Sequence, residues 1–267
     1  MQGRLSQKKD LPLQSFPIKT WEDEFKVASQ IGFDNIEWLI DGISDATNPI
    51  FSADGRLMIN KLCKANNLSV NSVCGLFLLS GNILSKDKDI SSMELNKLNK
   101  ALNASVDAGI NYFIIPLMDS LTLKNEAAKL CLLDIFNNKL TAIRPMILLE
   151  TDIEAIKLRS IFRSLKSDFG VLYDLGNANA FNFDICSEIK ILQDLIKEIH
   201  IKDRETDGGE SYSLGMGGTN FNEIFSTLRA INWTGNLVLE TSIFKDWEVE
   251  AKKNYSFSSS LMKLLKQ

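Results

Sequence analysis

Histidine and cysteine are scarce in this chain of 267 residues. It contains one histidine, His200, and four cysteines, none of which belongs to a C-x-x-C pair. Structural zinc sites are built from several cysteines and histidines at short spacings, so a site of that kind is excluded. The cysteines fall in apolar or helical contexts, which is typical of reduced thiols in a protein core. We therefore expect a reducing compartment and predict a cytoplasmic protein.

An excess of positive charge is also absent. The chain has 30 Lys and Arg against 34 Asp and Glu, a net charge of −4 and a pI near 5.3. This balance gives no electrostatic reason to expect a nucleic-acid partner. No run of about 18 apolar residues occurs, and the first ten residues, MQGRLSQKKD, lack the apolar core of a signal peptide. We predict a soluble, untargeted protein without a membrane partner.

No segment rich in proline, glycine and serine divides the chain, so we predict one domain over residues 1–267. Short apolar runs alternate with amphipathic segments along its whole length. The apolar runs predict strands at residues 1–5, 35–39, 68–74, 112–117, 146–150, 171–174, around 200, and 236–240. The amphipathic segments predict helices at residues 21–31, 52–66, 91–108, 126–136, 153–165, 185–195, 220–231 and 247–265. Because the first strand begins at residue 1, either it is shortened or translation begins upstream.

About eight strand-then-helix units follow one another, each roughly 25 to 40 residues long. Such alternation requires parallel strands joined by helical crossovers. An open, doubly wound sheet could be built in this way, but eight units in a chain of this length favour an α/β fold of the closed (β/α)8 TIM-barrel type. The active site of such a barrel lies at the C-terminal ends of its strands.

Metal-capable side chains stand at or near the C-terminal ends of four predicted strands. The runs MILLE, VLYD, EIHI and NLVLE supply Glu150, Asp174, His200 and Glu240, respectively. A lone histidine is more often structural, but His200 alternates with two isoleucines and therefore faces away from them on a strand. One imidazole and three carboxylates suit a divalent ion such as Mn²⁺, Co²⁺ or Mg²⁺. The pattern predicts a metal site.

Several motifs occur in an order that resembles a known superfamily. They are MQGRL, GFDNIEW, LLET, YDLGN, EIHIKD, LGMGGTNFNEIF and GNLVLE. With these motifs nearly the whole chain is similar to the xylose-isomerase-like TIM-barrel superfamily, the sugar phosphate isomerases and epimerases. Members include ketose 3-epimerases, pentulose-phosphate epimerases, hydroxypyruvate isomerase, two kinds of dehydratase and the endonuclease IV repair nucleases.

The resemblance implies one bound divalent ion, with Mn²⁺ expected and Co²⁺, Mg²⁺ or Zn²⁺ as alternatives. Its ligands would be Glu150, Asp174, His200 and Glu240. Many members have a histidine three residues after the aspartate, where this chain has Asn177, which cannot shuttle protons near neutral pH. The endonuclease IV branch holds three zinc ions with several histidines, so a chain with one histidine is excluded from it.

The expected chemistry is epimerisation or isomerisation of a sugar or sugar phosphate through an enediolate. Glu150 and Glu240 are the predicted acid and base on opposite faces of the substrate, unless they serve only as metal ligands. The same metal and base could instead support a dehydratase, and a barrel without turnover would be a binding protein. The residues predicted to contact substrate are Arg4 and Glu37, which would point toward the barrel mouth, and Asn177, Lys202 and Arg204.

Two further expectations concern anions and assembly. Lys202 and Arg204 could grip a phosphate, or they could pair with nearby acidic residues. The N–H groups of Gly215, Gly217 and Gly218 could bind an anion, although tight turns need the same residues. We expect a homodimer or homotetramer.

Overall fold

Parallel strands dominate the computed structural model, which describes residues 1–2, 5–6, 12, 14–43, 47–166, 168–242 and 246–266. The strands of the described residues are β1 (Asn35–Ile40), β2 (Ser69–Gly75), β3 (Tyr112–Leu117), β4 (Met146–Thr151), β5 (Phe169–Asp174), β6 (Ile196–Ile201), β7 (Asp203–Arg204), β8 (Ser211–Tyr212) and β9 (Asn236–Leu239). Seven of them form one parallel sheet in the order β1-β2-β3-β4-β5-β6-β9, whereas β7 and β8 form an antiparallel hairpin. The predicted TIM-barrel fold is confirmed.

The start of the chain fills the gap between the two outer strands of the sheet. The Gln2 N–H donates to the Leu239 carbonyl at 3.2 Å, and the Glu37 N–H donates to the Met1 carbonyl at 3.0 Å. Gln2 therefore bridges β1 in parallel and brings the barrel close to closure. A strand was predicted at residues 1–5, and the described residues of this segment show the bridge at Gln2. Arg4 lies outside the described residues.

Helices connect the strands on the outside of the barrel. Within the described residues they are α1 (Trp21–Ile31), α2 (Ala53–Asn66), α3 (Lys88–Asp107), α4 (Glu126–Asn138), α5 (Ala155–Phe162), α6 (Leu175–Ala180), α7 (Ile185–Leu192), α8 (Phe221–Ala230) and α9 (Trp247–Lys266). Side-chain caps set several of the starts, and α1 ends at Gly32, whose φ of 108° suits glycine. None of these helices is both long and apolar enough to cross a membrane.

Several helix boundaries differ from the prediction by up to three residues, two of them for local reasons. The side chain of Asp87 accepts hydrogen bonds from the N–H groups of Asp89 and Ile90, so α3 begins at Lys88 rather than at residue 91. Helix α5 ends at Phe162 rather than at residue 165. Beyond it the Leu165 N–H bonds to the Phe162 carbonyl, in a tighter turn than that of an α-helix.

The strands are buried on both faces, as parallel strands covered by helices must be. In β4 the residues Ile147, Leu148 and Leu149 are fully buried. Alternation along the strand places Leu148 and Glu150 on one face and Ile147 and Leu149 on the other. The apolar layer between sheet and helices thereby holds the strands in register, and the opposite face is free to carry polar groups.

Candidate metal centre and active site

Four neighbouring strands bring the predicted metal ligands together. Glu150 lies in β4, Asp174 ends β5, His200 lies in β6, and Glu240 directly follows β9. The β5–β6 register places Asp174 opposite His200, and the Glu240 N–H donates to the Ile201 carbonyl at 3.1 Å. One donor atom from each of the four side chains lies within 4.8 Å of the others. All four side chains are buried.

The imidazole of His200 has different surroundings at its two nitrogens. Its Nε2 lies 3.0 Å from Oε2 of Glu37. Its Nδ1 lies 2.8 Å from Oε2 of Glu240 and 4.0 Å from Oδ2 of Asp174, but it is not aligned for a hydrogen bond with either oxygen. Among the described residues, Nδ1 and the Asp174 Oδ2 are buried polar atoms without a hydrogen-bond partner. Such orphaned atoms call for an explanation, and a bound cation provides one.

Charge repulsion is strong in this cluster. Burial, followed by the Asp174 charge, raises the pKa of Glu150 to about 8. Burial also raises the pKa of Asp174, although the ammonium of Lys202 opposes the effect. Burial alone would lower the pKa of His200, but Glu37 and Glu240 together raise it well above its ordinary value. A divalent cation would favour the ionised carboxylates and displace the proton from Nδ1.

Lys202 supplies positive charge inside the cluster. Its Nζ lies 2.8 Å from Oε1 of Glu240 and 3.7 Å from Oδ2 of Asp174. Burial alone would lower the pKa of Lys202, but the two carboxylates raise it by more than burial lowers it. The pKa therefore lies above its ordinary value, and Lys202 is a cation. The pairing differs from the sequence-based alternatives, which were a substrate phosphate or the acidic residues close in sequence. Lys202 contacts the candidate metal ligands themselves.

Asn177 connects two candidate ligands to Arg204. Its backbone N–H donates to Oδ1 of Asp174 at 2.7 Å, and its Nδ2 donates to Oε1 of Glu150 at 3.0 Å. Its Oδ1 accepts from an Nη of Arg204 at 2.9 Å. Arg204 also donates to the carbonyls of Gly208 and Gly209 in the β7–β8 hairpin. In this state the guanidinium is held by the protein's own oxygens.

Glu37 lies beneath His200 rather than at the barrel mouth, where the sequence placed it. The side chain is buried, and its Oε1 accepts from Nε2 of Gln2 at 2.6 Å. Its Oε2 accepts from the Ser72 hydroxyl at 3.3 Å in addition to its contact with His200. Glu37 sits in the middle of β1, so its side chain reaches the barrel interior and not the strand end. Among the four predicted substrate contacts that the structure describes, it is the most deeply enclosed.

The glycine-rich loop binds an anion that the chain itself supplies. The N–H groups of Gly215, Gly217 and Thr219 all donate to the carboxylate of Asp203, at 2.8 to 3.1 Å. The Gly218 N–H donates to the Arg204 carbonyl. A Cβ on Gly217 would meet the Asp203 carboxylate at 2.5 Å, so the loop needs glycine there for this close approach. The loop is therefore a cap for Asp203 rather than an open anion site.

Two site residues were missed by the sequence analysis. Nε2 of Gln14 donates to Oε1 of Glu240 at 2.7 Å, and Gln14 precedes α1 in a segment without any periodicity that would have identified it. Glu198 is fully buried two residues before His200. The alternation that singled out His200 also puts Glu198 on the same face, so this residue could have been found.

A parallel (β/α) barrel with a buried carboxylate–histidine cluster at its strand ends defines the class of this protein. Residues 25–261 match the family described as xylose isomerase-like TIM barrel. The chain belongs to that family.

Curated relatives are similar over most of their length. The SgbU protein of Haemophilus influenzae, named as a candidate L-ribulose-5-phosphate 3-epimerase, is 26% identical over 238 residues, which is 83% of each chain. The L-ribulose-5-phosphate 3-epimerase UlaE of Escherichia coli K12 is 22% identical over 231 residues, which is 82% of this chain and 81% of UlaE. These relatives are named as epimerases of a sugar phosphate.

Solved structures support the fold. A structure of L-ribulose 3-epimerase has a TM-score of 0.73 at 16% identity, covering 100% of this chain and 94% of its own. The 3-keto-D-glucoside 4-epimerase YcjR of E. coli has a TM-score of 0.70 at 18% identity, covering 95% and 97%, respectively. At these identities the likeness establishes the shared barrel.

Proposed function

We propose that this protein is a divalent-metal-dependent epimerase or isomerase that acts on a sugar or a sugar phosphate. The observation that carries the proposal is the convergence of three carboxylates and one imidazole, in which His200 Nδ1 and Asp174 Oδ2 have no hydrogen-bond partner among the described residues. The names of the curated relatives favour a pentulose phosphate as the substrate. All four cysteines are free thiols, which supports a place in the cytoplasm.

The donor set fits a divalent ion held by Glu150, Asp174, His200 and Glu240. Three carboxylates and one imidazole suit Mn²⁺ best, and Co²⁺, Mg²⁺ and Zn²⁺ also accept such ligands. The three carboxylates and the Lys202 ammonium sum to a charge of −2, which a divalent ion neutralises. When bound, the ion would act as a Lewis acid toward the carbonyl of the substrate.

Glu150 and Glu240 are the residues proposed to transfer the proton. They come from β4 and β9, the outer two of the four neighbouring strands that carry the cluster. Asn177 orients Glu150, while Lys202 and Gln14 orient Glu240. One glutamate takes the proton next to the carbonyl, and the other returns one.

Lys202 and Arg204 are proposed to meet the anionic part of the substrate, with Arg4 and Asn177 as further contacts. The Lys202 ammonium is largely buried beside Glu240, so a substrate oxygen that reached it would form a charge-assisted hydrogen bond. Arg204 would have to exchange at least one of its carbonyl or amide partners for the substrate. A homodimer or homotetramer is the proposed assembly.

The reaction is tested by turnover in D₂O with Mn²⁺-loaded protein. L-ribulose 5-phosphate and the corresponding unphosphorylated ketose are the first substrates to compare. Removal of a proton next to the carbonyl should place deuterium at that carbon and give the epimer or isomer. A product lighter by one water would assign a dehydratase instead. Neither exchange nor product with any of a panel of ketoses and their phosphates would contradict the proposal.

A further inference from the structure

A second polar cluster lies under the candidate metal ligands, one layer deeper in the barrel. It consists of Glu37, Glu198, Ser72, Gln2 and Asn236, and we refer to it as the lower cluster. The first four side chains are buried, and Asn236 donates to Oε2 of Glu198 at 3.3 Å. The interior of a TIM barrel is ordinarily filled by branched apolar residues. A layer of polar residues at this depth therefore needs a reason.

The lower cluster meets the upper site at one atom, Nε2 of His200. Glu37 Oε2 lies 3.0 Å from this nitrogen, and both side chains are fully enclosed. An ionised carboxylate can only accept a hydrogen bond, so the nitrogen that faces it must carry the proton. Both oxygens of Glu37 also face other donors, since Gln2 donates to Oε1 and Ser72 to Oε2. The lone pair available to a cation is then that of Nδ1.

Glu37 is itself held in place by neighbours from three segments. Gln2 donates to one of its carboxylate oxygens at 2.6 Å, and Ser72 donates to the other at 3.3 Å. Its backbone is fixed by β1, which pairs with β2 on one side and with Gln2 on the other. The carboxylate can therefore fix the orientation of the imidazole. The Nδ1 of this imidazole faces the carboxylates of Asp174 and Glu240.

We propose that Glu37 is a positioning residue that holds the His200 ring in the Nε2–H tautomer and aims Nδ1 at the bound cation. The inference rests on the proposed metal-dependent function and adds to it a role for a residue that does not contact substrate. A carboxylate or carbonyl that orients a ligating histidine contributes typically about 10- to 100-fold to metal affinity. Glu37, Glu198 and His200 also offer ligand atoms within 4.8 Å of one another. Under this proposal the lower cluster supports the metal site and holds no second ion.

The single histidine permits a direct test on the wild-type protein. Growth with ¹⁵N-histidine labels one imidazole, and ¹¹³Cd²⁺ serves as a diamagnetic probe ion. We expect coupling between ¹¹³Cd and Nδ1, together with a proton on Nε2 whose resonance is shifted downfield by the carboxylate. Coupling to Nε2, or a proton on Nδ1 in the loaded protein, would overturn the proposal. Titration should end at one Cd²⁺ per chain, and two per chain would also overturn it.

Two variants then separate positioning from packing. Glu37→Gln keeps the side-chain shape but replaces the acceptor by a weaker amide oxygen, so the Kd for Cd²⁺ should rise by about 10- to 100-fold and the Nε2 proton should move upfield. Glu198→Gln is the comparison variant because Glu198 is equally buried and lies beside Glu37, but no hydrogen bond joins it to the imidazole. Its Kd should stay within about threefold of the wild-type value, and its Nε2 proton should not move.

The outcomes distinguish this inference from the proposed function. Equal losses of affinity in both variants would show that the lower cluster acts only through packing, and the positioning role would be rejected. If Glu37→Gln does not fold, as judged by circular dichroism, the wild-type coupling pattern still decides the question. Wild-type protein that binds Cd²⁺ through Nδ1 but converts no ketose would refute the proposed reaction and leave the positioning role intact. Wild-type protein that binds no Cd²⁺ and no Mn²⁺ would refute both.

Discussion

The carboxylates nearest the two nitrogens of the His200 ring are similarly buried but differ in their hydrogen-bond partners. Toward the strand ends, three carboxylates crowd around Nδ1, and two buried atoms there lack hydrogen-bond partners among the described residues. In the lower cluster, Glu37 accepts from Gln2, Ser72 and His200. The pKa of Glu37 is lowered, whereas that of Glu150 is raised to about 8. Partners, and not burial, account for the difference, because both carboxylates are buried.

This difference indicates which of the two clusters is suited to bind a cation from solution. A carboxylate whose charge is repelled by its neighbours gains a great deal from a cation. The upper cluster has three carboxylates and one ammonium, so positive charge beyond that of Lys202 would stabilise it. In the lower cluster Glu37 is surrounded by donors, whereas Oε1 of Glu198 has no hydrogen-bond partner among the described residues. Five measurements test this assignment, and the effect on turnover should be the largest.

The largest effect is expected on turnover when either proposed acid–base glutamate is changed. Glu150→Gln and Glu240→Gln keep the shape of the side chain and remove the basic group, so each should lower kcat by about 10²- to 10⁴-fold. One variant could still exchange a proton on the face of its intact partner, which deuterium incorporation would reveal. Metal content must be measured in parallel because both residues are also proposed ligands. Rapid turnover by the double variant with metal bound would eliminate the mechanism.

The next effect concerns metal retention. His200→Ala removes the imidazole that joins the two clusters. Loss of a residue that only orients a metal ligand lowers metal affinity by up to about 100-fold, so loss of the ligand itself should lower the affinity by more. The purified wild-type protein should carry close to one divalent ion per chain, measured by elemental analysis. The far-UV circular dichroism of the variant should be nearly unchanged. Full occupancy in His200→Ala would contradict the assignment of the ligands.

Metal removal should also lower the stability of the wild-type protein. Because the ion binds the folded state, Mn²⁺ at about 100 times its Kd should stabilise stripped protein by about 2.7 kcal/mol. Thermal unfolding followed with and without Mn²⁺ measures this effect. In His200→Ala the same addition should have much less effect. Equal stabilisation of both proteins would place the ion elsewhere.

A smaller effect is expected at the proposed anion contacts. Neutralising Lys202 or Arg204 should raise KM for a phosphorylated ketose by about tenfold or more if either one donates a charge-assisted hydrogen bond to phosphate. The unphosphorylated sugar should be affected much less. Since Arg204 also bonds to Asn177, a fall in kcat with both substrates would assign it to the support of Glu150 instead.

Much of this site could be predicted because strands alternate strictly. The phase of four short runs was enough to place Glu150, Asp174 and His200 on inward faces, and Glu240 at the end of its strand. The same phase does not specify depth along the barrel axis. That is why Glu37 was expected at the mouth although it lies beneath the histidine. Depth depends on the stagger between neighbouring strands, here including a register shift between Ile36 and Glu37.

The contacts around the ligands were harder to predict because they join distant segments. Gln14 reaches Glu240 from a segment with no regular pattern. Helix α6 was missed because its sequence, LGNANA, is short and half of it consists of glycine and asparagine, which have low helix propensity. Asp174 compensates by capping it, accepting from the Asn177 N–H. The β7–β8 hairpin was missed because strands of two residues carry no detectable alternation.

The last effect is expected in the pH dependence of stability, and it compares one glutamate from each cluster. Glu150 and Glu198 both have a pKa raised to about 8, mainly by burial, from an ordinary value of 4.5. Between these values the folded state binds more protons than the unfolded chain. The free energy of unfolding of stripped protein should therefore decline as pH rises from about 4.5 to about 8.

Each of the two glutamates contributes up to one proton to this decline, so Glu150→Gln and Glu198→Gln should each reduce its slope in denaturant titrations. Metal distinguishes the two residues. Saturating Mn²⁺ ionises Glu150, so it should remove the same part of the pH dependence that Glu150→Gln removes. The part contributed by Glu198 should persist with metal bound. If metal instead abolished the contribution of Glu198, the cation would be acting on the lower cluster. The assignment of the cation to the Nδ1 side of His200, with the lower cluster on the Nε2 side free of metal, would then be wrong.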